Sequence, residues 1–254
     1  YKTLEKVKTL LSSADIVEIQ GFSDYSFSDD ESKVILTTES QPVFRRSTLG
    51  EFYIYDMASK KVTKVSDDLV REPTLSPDGT KIADGFENNL YVKDLISGKV
   101  DDITSNGEKN KIINGITDWV YEEEFSFVRA FDWNSDSNQI AFIRFDETEV
   151  PEFSMDVFGS DLYQTQQVFK YTKAGEANSN VSLHLYDLGA KKLQELKADK
   201  AYEDFYIPRL EWTKDANVLS VQFMNRHQDE LDLWMINTKS SSSDLVLAEK
   251  DKAY

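Results

Sequence analysis

The chain has 254 residues, 40% of them hydrophobic and 30% charged, enough to bury a sizeable core as one large domain or two small ones. A formal net charge of −17 argues against nucleic acid and anionic membrane surfaces as partners, since both need a basic footprint, and favours cationic or neutral ligands. With no cysteine, disulfides, thiolate catalysis and Cys-based zinc sites are excluded, and no apolar run approaches the roughly 18–20 residues of a membrane span.

The N-terminal YKTLEKVKTLLSS lacks the apolar core of a signal peptide. Glu5–Leu11 reads as a stray strand, and so abrupt a start suggests a mature or trimmed piece. Four repeated units follow, at about 12–65, 66–104, 129–196 and 208–249. The first runs YSFSDDESKVILTTE (25–39) into EFYIYDMASKKVTKV (51–65), and the second PTLSPDGTKIADGF (73–86) into NLYVKDLISGKVDDI (89–103). The third joins FDWNSDSNQIAFIRF (131–145) to VSLHLYDLGAKKLQEL (181–196). The fourth joins LEWTKDANVLSVQFM (210–224) to ELDLWMINTKSSSSDLVL (230–247). Each unit predicts about four short strands. Ser-Pro-Asp-Gly (76–79) and its degenerate copies make the first turn, and Ser-Gly-Lys (97–99) turns into the fourth strand. Such units indicate an all-β fold of β-propeller blades; a β-sandwich would not need the same turn chemistry at the same place in every unit.

Two insertions break the pattern. Residues 105–128 contain Asn114–Phe125, NGITDWVYEEEF, which predicts a short helix carrying Glu122, Glu123 and Glu124 behind a Trp-Val-Tyr stem. A helix there has no architectural duty among strand repeats. Thr117 or Asp118 can cap it, without a capping box. The tract is either a solvated acidic face favoured by the helix dipole or a clamp. Neighbouring helix positions diverge by about 100°, so two adjacent carboxylates can approach one ammonium group from two sides. A free peptide N-terminus, with its three donors, suits such a pair. Residues 146–180 expand the third unit, and QQVFKYTK (166–173) alternates as a projecting hairpin or arm would. A second candidate, Phe44-Arg45-Arg46-Ser47, lies in a long excursion between strands. It is either two solvated arginines or a guanidinium able to orient a carbonyl oxygen and hold the carboxylates.

Other chemistries find no support. His184 lies mid-strand in SLHLYDL and His227 in a polar turn, and Gly159-Ser160-Asp161 is the only fragment approaching a nucleophile elbow. There is no His-x-x-x-His pair, EF-hand spacing or phosphate loop, so neither metal nor cofactor is expected. The Asp-rich turns at 28–30, 77–78 and 135–136 read as hairpin turns.

ITDWVYEEEF (116–125), FDETEVPEFSMDVF (145–158), YTKAGEANSNV (171–181), FRRS (44–47) and FYIYDM (52–57), in that family's order along the chain, make the sequence resemble the dipeptidyl peptidase IV family of serine exopeptidases. The resemblance implies the N-terminal β-propeller of an enzyme that releases N-terminal dipeptides, typically with Pro or Ala second. Glu123 and Glu124 would bind the substrate α-amine and Arg45 a substrate carbonyl; the family has Trp where Phe44 stands. Glu122 would be only a solvated helix residue. The family's dimer arm would fall at 151–174, and the location would be periplasmic, secreted or in the cell envelope. The catalytic α/β-hydrolase domain and its Ser-His-Asp triad are expected outside this chain, leaving about half a ring that would be inactive alone and prone to self-association. The rival is a non-catalytic interaction propeller, which continuation of the reading frame would discriminate.

Overall fold

Short polar side chains that bond their own backbone close the first turn of each repeat. Ser28 Oγ donates to Asp30 Oδ1 at 2.7 Å and Ser76 Oγ to Asp78 Oδ1 at 2.6 Å. The same hydroxyls accept the Lys33 and Lys81 N–H groups, each at 3.0 Å. In the third repeat Asn134 Oδ1 does this work, accepting from Asn138 N and Gln139 N. The turn residue with positive φ is Glu31, Gly79 or Ser137 in turn, so glycine, which adopts that conformation without penalty, appears in only one copy.

The computed structural model describes residues 8–252, and nearly all regular structure there is strand. The first sheet comprises β1 (Asp24–Phe27), β2 (Lys33–Pro42), β3 (Thr48–Asp56) and β4 (Val62–Lys64). The second comprises β5 (Arg71–Leu75), β6 (Lys81–Phe86), β7 (Asn89–Asp94) and β8 (Val100–Asp102). Then come β9 (Ile112–Asn114) and the helix α1 (Trp119–Glu124). The third sheet holds β10 (Phe131–Trp133), β11 (Gln139–Asp146), β14 (Asn180–Asp187) and β15 (Lys192–Leu196), with β9 paired to β11 as a fifth strand. Between β11 and β14 projects a two-stranded arm, β12 (Glu152–Val157) and β13 (Thr165–Lys170). The last sheet comprises β16 (Phe205–Trp212), β17 (Val218–Asn225), β18 (Glu230–Asn237) and β19 (Ser243–Lys250). Within each four-stranded unit the strands pair antiparallel in chain order, the pattern of propeller blades.

Both faces of a blade are apolar because blades stack on each other. On β2, Val34 and Leu36 pack to one side with Ile16, Ile19 and Tyr55, whereas Ile35 packs to the other with Val70 and Ile82 of the second blade. The largest core runs from Leu90 and Val92 through Ile140, Phe142 and Ile143 to Leu219, Val221 and Ile236, joining the second, third and fourth blades. Tryptophans stitch successive inner strands together. Trp133 Nε1 donates to the Thr74 carbonyl at 3.2 Å, and Trp212 Nε1 donates to the Asp132 carbonyl at 3.0 Å.

Two sequence expectations differ from what is found here. Of the stray strand at Glu5–Leu11, residues 5–7 lie outside the described residues and 8–11 form no strand. The insertion 105–128, expected to carry only a short helix, also supplies a strand, since β9 extends the inner edge of β11. Gly115 makes the passage from β9 towards α1 possible. Its φ is +71°, and a Cβ there would stand 2.4 Å from Leu90 Cδ1.

Candidate substrate-binding site

The helix α1 is six residues long, too short to persist by propensity alone, so its surroundings must hold it. Asp118 is the N-cap: its side chain accepts the Tyr121 N–H at 2.9 Å, and Ser179 Oγ donates to its other oxygen at 2.6 Å. Burial pushes the Asp118 carboxyl above the usual carboxylate range, against these bonds. Thr117, the other capping candidate, instead donates its hydroxyl to the Phe127 carbonyl.

Tyr121 enters the main core. Its ring lies edge-on to Phe145 at 4.8 Å, and the Ile207 N–H donates to its hydroxyl oxygen at 2.8 Å. The helix therefore does have an architectural duty, contrary to the sequence expectation: it closes the space between the third and fourth blades. The apolar stem visible in the sequence is the plug.

The three glutamates occupy three different environments. Glu122 is 0% exposed, and its Oε1 accepts the backbone N–H groups of Arg46 at 2.5 Å and Ser47 at 2.9 Å. This corrects the reading of Glu122 as a solvated residue. With the helix plugged into the blades through Tyr121, the next position faces the loop between β2 and β3, whose Arg46 and Ser47 N–H groups it accepts. Glu123 is half-buried, and both its carboxylate oxygens lie near Arg45 Nε, at 3.1 and 2.9 Å. Glu124 is exposed. Residues 78 apart in sequence, Arg45 and Glu123, thus meet at the rim of α1, and Glu124, next in the helix, is exposed.

Arg71, at the start of β5, lies within electrostatic reach of Glu122. Burial pulls its guanidinium below its ordinary pKa, while the charges of Glu122 and Glu72 oppose the shift. Arg71 Nε and Nη2, Glu122 Oε2 and Ser47 Oγ are buried without hydrogen-bond partners among the described residues. Sequence reasoning missed Arg71; nothing in Arg-Glu-Pro (71–73) marks a strand residue as turned inward.

An aromatic cluster ties the arm to the same place. Phe44, next to Arg45, meets Phe169 of β13 at 5.9 Å, and Trp119, first in α1, meets Tyr171 at 4.4 Å. Phe153 of β12 contacts Phe169 and Tyr171, with Lys173 Nζ 5.7 Å from its ring centre. The projecting hairpin expected from QQVFKYTK is present, and Phe158, Leu162 and Tyr163 near its tip are exposed.

Elsewhere, the histidines sit where the sequence placed them. His184 stacks on Phe142 at 5.3 Å, and burial lowers its pKa; His227 is exposed in the turn between β17 and β18. Gly159-Ser160-Asp161 lies exposed between the two arm strands.

Four stacked blades, with a plugged helix and a charged rim, define the class as a portion of a β-propeller. A match to the family described as "Dipeptidyl peptidase IV (DPP IV) N-terminal region" covers residues 28–254. The chain belongs to that family and represents its N-terminal region. It is similar to dipeptidyl-aminopeptidase B of Aspergillus niger, with 31% identity over 97% of this chain and 30% of the relative. Dipeptidyl aminopeptidase B of Saccharomyces cerevisiae is 30% identical over 87% of this chain and 28% of its own length. The crystal structure of Porphyromonas gingivalis dipeptidyl peptidase 4 superposes with a TM-score of 0.93 and 34% identity, covering 99% of this chain and 36% of that one. The chain therefore spans about a third of the length of the proteins it matches.

Proposed function

We propose that this chain is the substrate-recognition part of a serine dipeptidyl peptidase that removes dipeptides from free N-termini, typically with Pro or Ala in second position. Glu123 and Glu124 anchor the peptide α-amine, and Arg45 orients the adjacent carbonyl while pairing with Glu123. The observation that carries this reading is the meeting of Arg45 with Glu123 beside the exposed Glu124. An ammonium group offers three donors and a positive charge; two carboxylates at one rim repel each other until such a cation neutralises them. Arg45 leaves Glu123 acceptor capacity to spare, because a carboxylate has about four lone-pair sites. Requiring a free amine at a fixed distance from the scissile bond would set the product length at two residues.

The acyl-transfer chemistry belongs to a Ser-His-Asp triad on an α/β-hydrolase domain beyond this region. The arm, with Phe158, Leu162 and Tyr163 exposed, packs across a homodimer interface. A periplasmic or secreted location fits an exopeptidase acting on free peptides. Among the described residues no helix is long and apolar enough to cross a membrane.

The test is steady-state kinetics on a full-length enzyme containing this region. Glu123→Gln and Glu124→Gln should each lower kcat/KM on an Xaa-Pro substrate by about a hundredfold or more, the loss of one charge-assisted contact to a desolvated amine. Near-normal kcat/KM in both variants would end the anchoring role.

A further inference from the structure

We infer that Glu122 is a positioning residue that sets Arg45 against Glu123 by holding the backbone of the loop between β2 and β3. The inference deepens the proposed clamp and rests on it.

The Arg45 side chain is 73% exposed, against 16% for Glu123. An ion pair so exposed contributes little by itself, because water screens it and two long side chains must be ordered to form it. The Arg45–Glu123 pair therefore cannot be what fixes the loop. Something else must place Arg45 before the pair can form.

That fixing is done one residue along the chain. Glu122 Oε1, itself wholly buried, receives the N–H groups of the two residues that follow Arg45, at 2.5 Å in a part-buried bond and at 2.9 Å in a buried one. Bonds from backbone N–H to a buried carboxylate are charge-assisted and stronger than neutral ones. Both donors are main-chain groups, so what they immobilise is the path of the chain, not a side-chain rotamer. The loop closes on itself through Val43 N donating to the Ser47 carbonyl at 2.8 Å, which carries the constraint across Phe44 and Arg45. Arg46 Nη2 adds a weaker contact with Ser126 Oγ at 3.3 Å. The buried Arg71 guanidinium supplies an opposite charge within electrostatic reach of Glu122. Glu122 thus combines two backbone donors with the field of a buried cation, while Glu123 is half-buried and Glu124 exposed.

The experiment has two arms. In this chain, hydrogen exchange at the Arg46 and Ser47 amides is compared between the parent protein and Glu122→Gln, which keeps the shape and an acceptor but loses the charge. Both amides should exchange at least about tenfold faster in the variant, the equilibrium equivalent of a weakened charge-assisted bond. The Tyr121 amide, bonded to Asp118, should be unchanged and reports that α1 remains folded. In the full-length enzyme, Glu122→Gln should lower kcat/KM by about tenfold, mainly through KM, whereas in an Arg45→Ala background it should cost less than about twofold. A purely structural residue would cost the same in both backgrounds, and that outcome overturns the proposal, as does unchanged protection at residues 46 and 47. If Tyr121 protection is also lost, Arg71→Gln provides the second variant: it removes the countercharge without touching α1, and should loosen the same two amides. Failure to do so would also overturn the proposal. Failure of the clamp itself reads differently: Glu123→Gln and Glu124→Gln would leave kcat/KM intact while Glu122→Gln still freed the two amides.

Discussion

Tyr121→Phe isolates the contribution of one buried hydrogen bond to the seating of α1. The pairing of β16 with β17 shifts register between Tyr206 and Arg209, so Ile207 and Pro208 drop out of the ladder. Proline has no N–H, and the Ile207 N–H turns instead to the Tyr121 hydroxyl at 2.8 Å. Ile207 is fully buried, which leaves water unable to replace that oxygen. Phenylalanine keeps the ring and its contacts with Phe145 and Phe125, so no cavity forms and only the bond is lost. An unsatisfied buried donor costs about 1–3 kcal/mol. For a chain of this size each kcal/mol lowers Tm by about 2–4 °C, predicting a fall of roughly 2–12 °C. Urea unfolding followed by tryptophan fluorescence should show a lower midpoint at unchanged slope. Tyr206→Phe serves as the control: it loses the part-buried bond from Asn178 Nδ2, and should cost less than about 1 kcal/mol. A Tyr121→Phe effect below about 0.5 kcal/mol would refute the argument, since it would mean that Ile207 finds another acceptor.

The buried carboxyl of Asp84 makes a pH prediction. Desolvation raises its pKa from 3.8 to about 7, only partly countered by Lys93, so the folded state holds a proton that the unfolded chain releases. Its contribution is fully present below about pH 4 and is lost as pH rises towards 7 and beyond. Asp84→Asn should therefore stabilise the protein at pH 8 by roughly 2–4 kcal/mol while changing little at pH 4; equal effects at both pH values would contradict the assignment. For the arm, the full-length protein should be a dimer by light scattering, and Leu162→Glu with Tyr163→Glu should shift it towards monomer. An unshifted dimer would place the interface elsewhere.

The repeats were legible because their turns depend on local chemistry. A serine or asparagine that bonds its own backbone, and an aspartate two residues after the serine, suffice to mark a hairpin wherever the blade packs. The arm was legible for a similar reason, since alternation survives in an isolated hairpin. Arg45, Glu123 and Glu124 are reached through motif resemblance, and the meeting of Arg45 with Glu123 is a property of the fold. Glu122 was misread because six residues give no helical period from which to assign a buried face; its burial is dictated by a loop 76 residues away. The fifth strand, Ile112–Asn114, is too short for alternation to show, and it pairs because Arg144–Asp146 offer a free edge beyond the end of β10. Arg71 was invisible for the same reason as Glu122: its inward turn depends on non-local packing.

The three consecutive glutamates also carry a constraint on how this region can vary. Chemically they are identical, and a comparison of composition would treat them as interchangeable. Their tasks are assigned by angle alone, with Tyr121 serving as the reference mark. Deleting one residue between Asp118 and Glu122 would turn every later side chain by about 100° and send a different carboxylate into the pocket under the loop. The tract could still read Glu-Glu-Glu and yet have every role displaced. Drift in this segment should therefore tolerate exchanges of residue type more readily than any change of length.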